Sequence, residues 1–233
     1  MYPMSFYSVG LLFRVGLERD PAFLGTCFAF RDPSTFITAA HCVRKLSEYD
    51  LGIMLPLIDH GDFIPVRRIE RHQEADVAKL STYRVESREL APFLGLSALN
   101  SWGEPVMALG YPLDDADNVG DEIREGALGP TARLLTGSVQ RFFTFRSPRE
   151  YRYVAGELSF GAPGGLSGGP VFPTHEQDRV IGVVAENRNS TTYLYSEILE
   201  KEGAVMREEK HHEVIRYGIF VSLEPLTSWL LSE

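Results

Sequence analysis

A serine sits between glycines in Gly164-Gly165-Leu166-Ser167-Gly168-Gly169-Pro170. The glycines predict a tight turn ahead of an apolar strand. Such a turn pushes the hydroxyl outward while two backbone N–H groups converge beside it, which a serine nucleophile with an oxyanion site requires. A neutral hydroxyl is a weak nucleophile, so it needs a base within hydrogen-bond reach and a third group that orients the base. Thr38-Ala39-Ala40-His41-Cys42 supplies the candidate base. It follows the apolar run Phe36-Ile37 and reads as a strand ending in a turn, with small residues that let the backbone pack closely. The candidate acid is Asp76, which opens the alternating pattern Asp76-Val77-Ala78-Lys79-Leu80. Glu74 and Asp62 lie nearby, and the alternation after Asp76 decides between them.

The motifs T-A-A-H-C, D-V-A-K-L and G-L-S-G-G-P, in this order, resemble the chymotrypsin/trypsin clan of serine peptidases. Val106-Met107-Ala108-Leu109-Gly110-Tyr111-Pro112 is similar to a strand and turn of the bacterial HtrA-like branch. Gly218-Ile219-Phe220-Val221, with Ser228-Trp229-Leu230, looks like the last barrel strand and terminal segment of the trypsin branch. The resemblance implies an all-β fold of two six-stranded antiparallel β-barrels, with the active site in the cleft between them. Residues 1–100 would form the first barrel and carry His41 and Asp76. Residues 101–233 would form the second and carry Ser167, with no PDZ-like domain attached.

The implied mechanism is the family's own. His41 takes the proton of Ser167 during attack on a carbonyl and returns it to the leaving amine. Asp76 holds the imidazole in the useful tautomer. The N–H groups of Gly165 and Ser167 bind the oxyanion. No cofactor and no metal is expected. His60, His72, His175, His211 and His212 lie in polar settings and read as surface residues. His211-His212-Glu213 could suggest a metal site, but neighbouring side chains on a helix point apart.

The chain has 233 residues, 44% of them hydrophobic, which suffices for a sizeable core. Glycine and proline punctuate short apolar runs, the pattern of an all-β protein. No apolar run reaches the length of a membrane-spanning helix. The net charge of −9 and the absence of a basic cluster with interleaved aromatics argue against nucleic acid. Ser8 to Phe13 is apolar but has neither a basic flank nor a cleavage site, so it reads as a first strand and not as an export signal. A cytoplasmic location is the expectation. The resemblance suggests a disulfide between Cys27 and Cys42, at a spacing one residue short. The count alone fits two buried thiols equally well.

The resemblance also places a substrate pocket among Gly161 and Ala162, the edge Ala185-Glu186-Asn187, and Gly218. No aspartate precedes the serine, so a small or medium uncharged residue is expected before the scissile bond. Glu186 is the residue to suspect if a basic one is required. Leu166 stands where the trypsin branch usually has an acidic residue that pairs with a freed N-terminus, so that switch is not expected. Two long insertions, Leu113 to Thr131 and Asn187 to Tyr217, would border the cleft, with a helix over Ser196 to His212. Two readings follow: a serine endopeptidase acting on polypeptide, regulated by loop ordering or a protein partner, or a catalytically silent binding module of the same fold. Esterase activity would use the same residues.

Overall fold

The computed structural model describes all residues except 1–3, 17–18, 56–62, 84–91, 94, 99–101, 114–130, 202–203 and 233. His60, Asp62 and nearly all of the 113–131 insertion lie outside the described residues. Short apolar runs, rich in β-branched and aromatic side chains, build the strands, some buried along nearly their whole length and others on one face. The first set is β1 (Val9–Gly16), β2 (Arg19–Ala29), β3 (Thr35–Thr38), β4 (Leu51–Met54), β5 (Ile64–Arg71) and β6 (Ala78–Thr82). They close as an antiparallel barrel in the order β1-β2-β3-β6-β5-β4. Leu12, Phe28, Phe36, Ile37, Leu51, Ile53 and Leu80 fill its interior.

Between the barrels runs the short strand β7 (Gly95–Leu96). The second set is β8 (Pro105–Gly110), β9 (Arg133–Arg146), β10 (Arg152–Leu158), β11 (Pro170–Pro173), β13 (Gly182–Lys201) and β14 (Ala204–Ser222). These close in the order β10-β14-β13-β11-β8-β9. The remaining strand, β12 (Arg179–Val180), pairs parallel with β7 and ties the connecting segment to the second barrel. The expected double barrel is therefore the observed one. Among the described residues no helix is long and apolar enough to cross a membrane.

One expectation fails. The described residues between Ser196 and His212 are strand and not helix. β13 and β14 continue as a paired ribbon from Asn187↔Gly218 out to Lys201↔Ala204, well beyond the barrel. Thr191, Thr192, Tyr193, Tyr195, Val214 and Ile215 favour extended backbone. Pairing carries that conformation into a tip whose composition alone favours helix.

The C-terminal helix α1 (Thr227–Leu230) turns back onto the first barrel. Lys79 of β6 is buried and holds it there. Its ammonium donates to the carbonyls of Trp229 (3.0 Å) and Ser232 (3.1 Å) and to the Ser232 hydroxyl (3.1 Å). It also lies 2.9 Å from Glu70 Oε1 and 4.8 Å from the centre of the Trp229 ring. Lys79→Met removes all of these bonds and the buried cation beside Glu70. It is expected to lower stability by about 2–3 kcal/mol in urea unfolding, with a red-shift of Trp229 fluorescence as the segment lifts.

Candidate active site

His41 lies in a short 3₁₀ turn, Ala40–Val43, that follows β3. Arg71 steadies this turn from β5: its guanidinium donates to the carbonyls of Val43 (2.6 Å) and Leu46 (2.6 Å). Asp76 is fully buried. Its Oδ2 accepts from His41 Nδ1 at 2.7 Å, and its Oδ1 accepts from the His41 backbone N–H at 2.8 Å. One carboxylate thus fixes both the ring and the backbone of the histidine. Glu74 enters the site through its backbone alone, its carbonyl accepting from the Arg152 N–H at 2.8 Å.

Burial pushes the His41 pKa down. The neighbouring Cys42 sulfur and the Asp76 carboxylate that accepts from the ring push it up more strongly, so the net direction is upward. The Asp76 contribution rests on the 2.7 Å bond and holds whatever the state of the thiol.

His72, expected at the surface, is half-buried and shapes the loop that carries Asp76. Its Nδ1 accepts from the N–H groups of Glu74 (3.1 Å) and Ala75 (2.9 Å). That arrangement needs an unprotonated Nδ1. Burial lowers the His72 pKa, with Glu74 opposing. The stabilisation is therefore complete above the ordinary imidazole range and is lost as pH falls through the lowered pKa.

Ser167 lies in the turn before β11. Gly165 has φ +84° and Gly168 has φ +90°, a region costly for any side chain. A methyl on Gly168 would also overlap the Thr26 carbonyl and the Thr38 hydroxyl. Among the described residues, no acceptor meets the N–H of Gly165 or of Ser167. The two donors beside the serine are thus left open. The Ser167 hydroxyl is turned toward the Ala185 carbonyl at 3.4 Å and makes no bond to the imidazole. The two turns are nonetheless adjacent, because the thiol of Cys42 lies 3.9 Å from the Ser167 carbonyl. Catalytic hydrogen bonds are often unmade before substrate binds.

Leu166 is fully buried in the second core, with Leu158, Val171, Val184 and Phe220. An apolar plug anchors the serine turn where the trypsin branch uses an ion pair.

The expected pocket residues diverge. Asn187 Oδ1 accepts from the Ala162 N–H at 3.0 Å, and the Arg216 stem crosses beside Gly161. Gly218 donates to the Phe160 carbonyl at 2.5 Å. Glu186 faces the β9–β10 turn, where its Oε1 accepts from Ser147 Oγ (2.5 Å) and lies 3.4 Å from Arg149. Cys27 and Cys42 are free, buried thiols. His211 and His212 face opposite sides of the ribbon, against Tyr195 and Tyr193 respectively. Among the described residues no His, Cys, Asp and Glu cluster could hold a metal ion.

Sequence reasoning missed Thr26 of β2. Its N–H donates to the Ser167 carbonyl at 2.8 Å. Its hydroxyl donates to the Gly165 carbonyl at 2.8 Å and accepts from the Tyr111 N–H at 3.0 Å. Its own carbonyl accepts from the Thr38 hydroxyl at 2.7 Å. One buried residue of the first barrel therefore holds both ends of the oxyanion turn. In sequence it is one polar residue in an alternating strand, and nothing local marks it.

A double barrel with a histidine–aspartate pair facing a serine turn defines the trypsin-like class. The family model of the trypsin-like peptidase domain matches residues 25–183, and the chain belongs to that family. No curated protein matches the chain significantly. Among solved structures, the chain is similar to the MamO protease domain from Magnetospirillum magneticum. The TM-score is 0.66 and the identity 14%, covering 100% of both chains. It is also similar to the active form of the Rv3671c protease from M. tuberculosis, with TM-score 0.63 and 15% identity over 97% of this chain and 80% of that one. The HtrA-type protease AlgW, with a decapeptide, aligns at TM-score 0.61 and 14% identity over 97% of this chain and 64% of that one.

Thr26→Val keeps the volume but removes both hydroxyl bonds. The rate at which a fluorophosphonate phosphonylates Ser167 should fall by about tenfold to a hundredfold, because the N–H groups of Gly165 and Ser167 lose their alignment. Thr26→Ser should restore most of the rate.

Proposed function

We propose that this protein is a serine endopeptidase that cleaves polypeptide through His41, Asp76 and Ser167 by way of an acyl-enzyme. One observation carries the reading: a fully buried Asp76 orients His41 beside a serine turn whose Gly165 and Ser167 N–H groups meet no acceptor among the described residues. On attack, the Ser167 hydroxyl swings from Ala185 to His41 Nε2, and its proton passes to the imidazole as the Oγ–carbon bond forms. The developing oxyanion enters the space before the two open N–H groups. His41 then protonates the leaving amine, the carbon–nitrogen bond breaks, and water repeats the sequence on the ester. Asp76 stays ionised throughout and stabilises the imidazolium.

Buried free thiols at Cys27 and Cys42 fit a reducing compartment, which supports a cytoplasmic location. The Leu166 anchor leaves control to something other than chain cleavage, and a protein partner acting on the cleft loops is the regulator we favour. The second reading, a catalytically silent binding module, draws on the Ser167 hydroxyl being turned to Ala185.

A serine-directed fluorophosphonate decides between them. The wild-type chain should be labelled at Ser167, and Ser167→Ala should not. A wild-type chain that stays unlabelled under all conditions favours the binding module. The imidazole acts only when unprotonated, and its pKa is raised. In the enzyme, kcat/KM for a peptide should therefore climb with pH through a single inflection above the ordinary imidazole value of about 6.5.

A further inference from the structure

The ribbon β13–β14 leaves the barrel at the candidate cleft, and one edge of β13 starts at Ser167. The Ala185 carbonyl lies 3.4 Å from the Ser167 hydroxyl, so that carbonyl points away from β14 and toward the reacting centre. The Gly218 N–H is directed to the Phe160 carbonyl and away from β13. The pair Asn187↔Gly218 is therefore a non-hydrogen-bonded one, and Asn187 turns its own N–H and C=O outward. The period of two repeats this at Asn189, Thr191 and Tyr193, opposite Arg216, Val214 and His212, until the bulge between Tyr193 and Tyr195. Beyond the Pro170↔Val183 and Val171↔Gly182 pairs and the Val184 contacts, no strand covers this edge among the described residues. The open row from Asn187 to Tyr193 is about 20 Å long. Beside its base lies a groove of about 570 Å³ lined by Arg141, Pro148, Glu186, Arg188, Ser190 and Tyr217.

An uncovered strand edge is a template for another strand. Its occupant follows from the chemistry. His41 must protonate the leaving amine, so the segment downstream of the scissile bond lies on the His41 side, in the first barrel. The upstream segment lies on the other side, along β13. We infer that the ribbon edge beyond the barrel, from Asn189 to Tyr193, prolongs the cleft as a docking strand for substrate polypeptide, engaging its backbone from the fifth to the ninth residue upstream of the scissile bond. Counting upstream from the residue that supplies the scissile carbonyl, the third pairs at Asn187, the fifth at Asn189, the seventh at Thr191 and the ninth at Tyr193. The preferred substrate is an unfolded or extended chain with at least that length ahead of the cut. Short peptides use only the first pairs. This inference rests on the peptidase reading for its direction, yet its test does not need turnover.

The probe is a set of fluorescein-labelled peptides of alternating threonine and valine ending in alanine, three, five, seven and nine residues long. Binding to Ser167→Ala is read by anisotropy. Each two-residue extension should tighten binding by roughly three- to tenfold, since each adds one donor and one acceptor to the edge. N-methylation at the fifth or seventh residue should cancel that gain, whereas N-methylation at the fourth or sixth should leave it. Thr191→Pro removes one outward N–H that β14 does not use. It should abolish the gain at the seventh residue and beyond, with fluorophosphonate labelling of Ser167 in that background unchanged. Affinity independent of length, or indifferent to which residue is methylated, overturns the inference. So does a dimer of the wild-type chain that Thr191→Pro dissociates, because a second copy would then own the edge. Length-dependent binding without any labelling of wild-type Ser167 would instead sink the peptidase reading and leave the docking strand standing.

Discussion

Thr26 uses its N–H, its hydroxyl and its carbonyl on groups outside its own strand, and the geometry at Ser167 depends on that. The histidine and the aspartate are held by one barrel, the serine turn by the other. Nothing in either barrel alone sets the distance between them. Thr26 reaches from β2 to both carbonyls of the oxyanion turn, and through Tyr111 to the segment after β8. Tyr111 adds a second tie, its hydroxyl donating to the Val9 carbonyl at 3.1 Å. Such bonds are directional, and in a buried seam an unmade one costs more than a made one contributes. The seam therefore has one good arrangement.

The same logic recurs around Asp76. A carboxylate shut away from the surface needs a hydrogen-bond partner for each oxygen, and the His41 backbone and ring supply one to each. The loop that presents it is braced from two directions, by His72 within the first barrel and by Arg152 from the second. Arg71 braces the histidine turn from below. His41 and Asp76 are thus held from several sides, whereas the Ser167 hydroxyl has one long contact, 3.4 Å to the Ala185 carbonyl.

The glycines at 165 and 168 were legible because positive φ and close approach disfavour any side chain there. The barrel strands were legible as short apolar runs bounded by glycine and proline: β10 comes near alternation, whereas β8 and β11 are buried along nearly their whole length. Thr26 and His72 were not, because their importance comes from partners supplied by the fold. The serine turn lies over a hundred residues from Thr26. The loop bonds of His72 are short in sequence but need the ring half-buried against Trp229. The ribbon was misread for a different reason. A two-stranded arm with solvent on both faces has no buried side to impose alternation. Glu, Lys and Arg at its tip then read as helix, and only pairing across the turn overrides them.

Leu166 gives the serine turn the thermodynamics of a core side chain. In place of an ion pair, the turn is fastened by a leucine among Leu158, Val171, Val184 and Phe220. An ion pair near a surface weakens with added salt, whereas apolar burial does not, and kosmotropic salts strengthen it. Apolar burial also weakens on cooling, because its driving force near room temperature is entropic. The order of the serine turn is thus tied to temperature and solvent cohesion, and is largely indifferent to ionic strength.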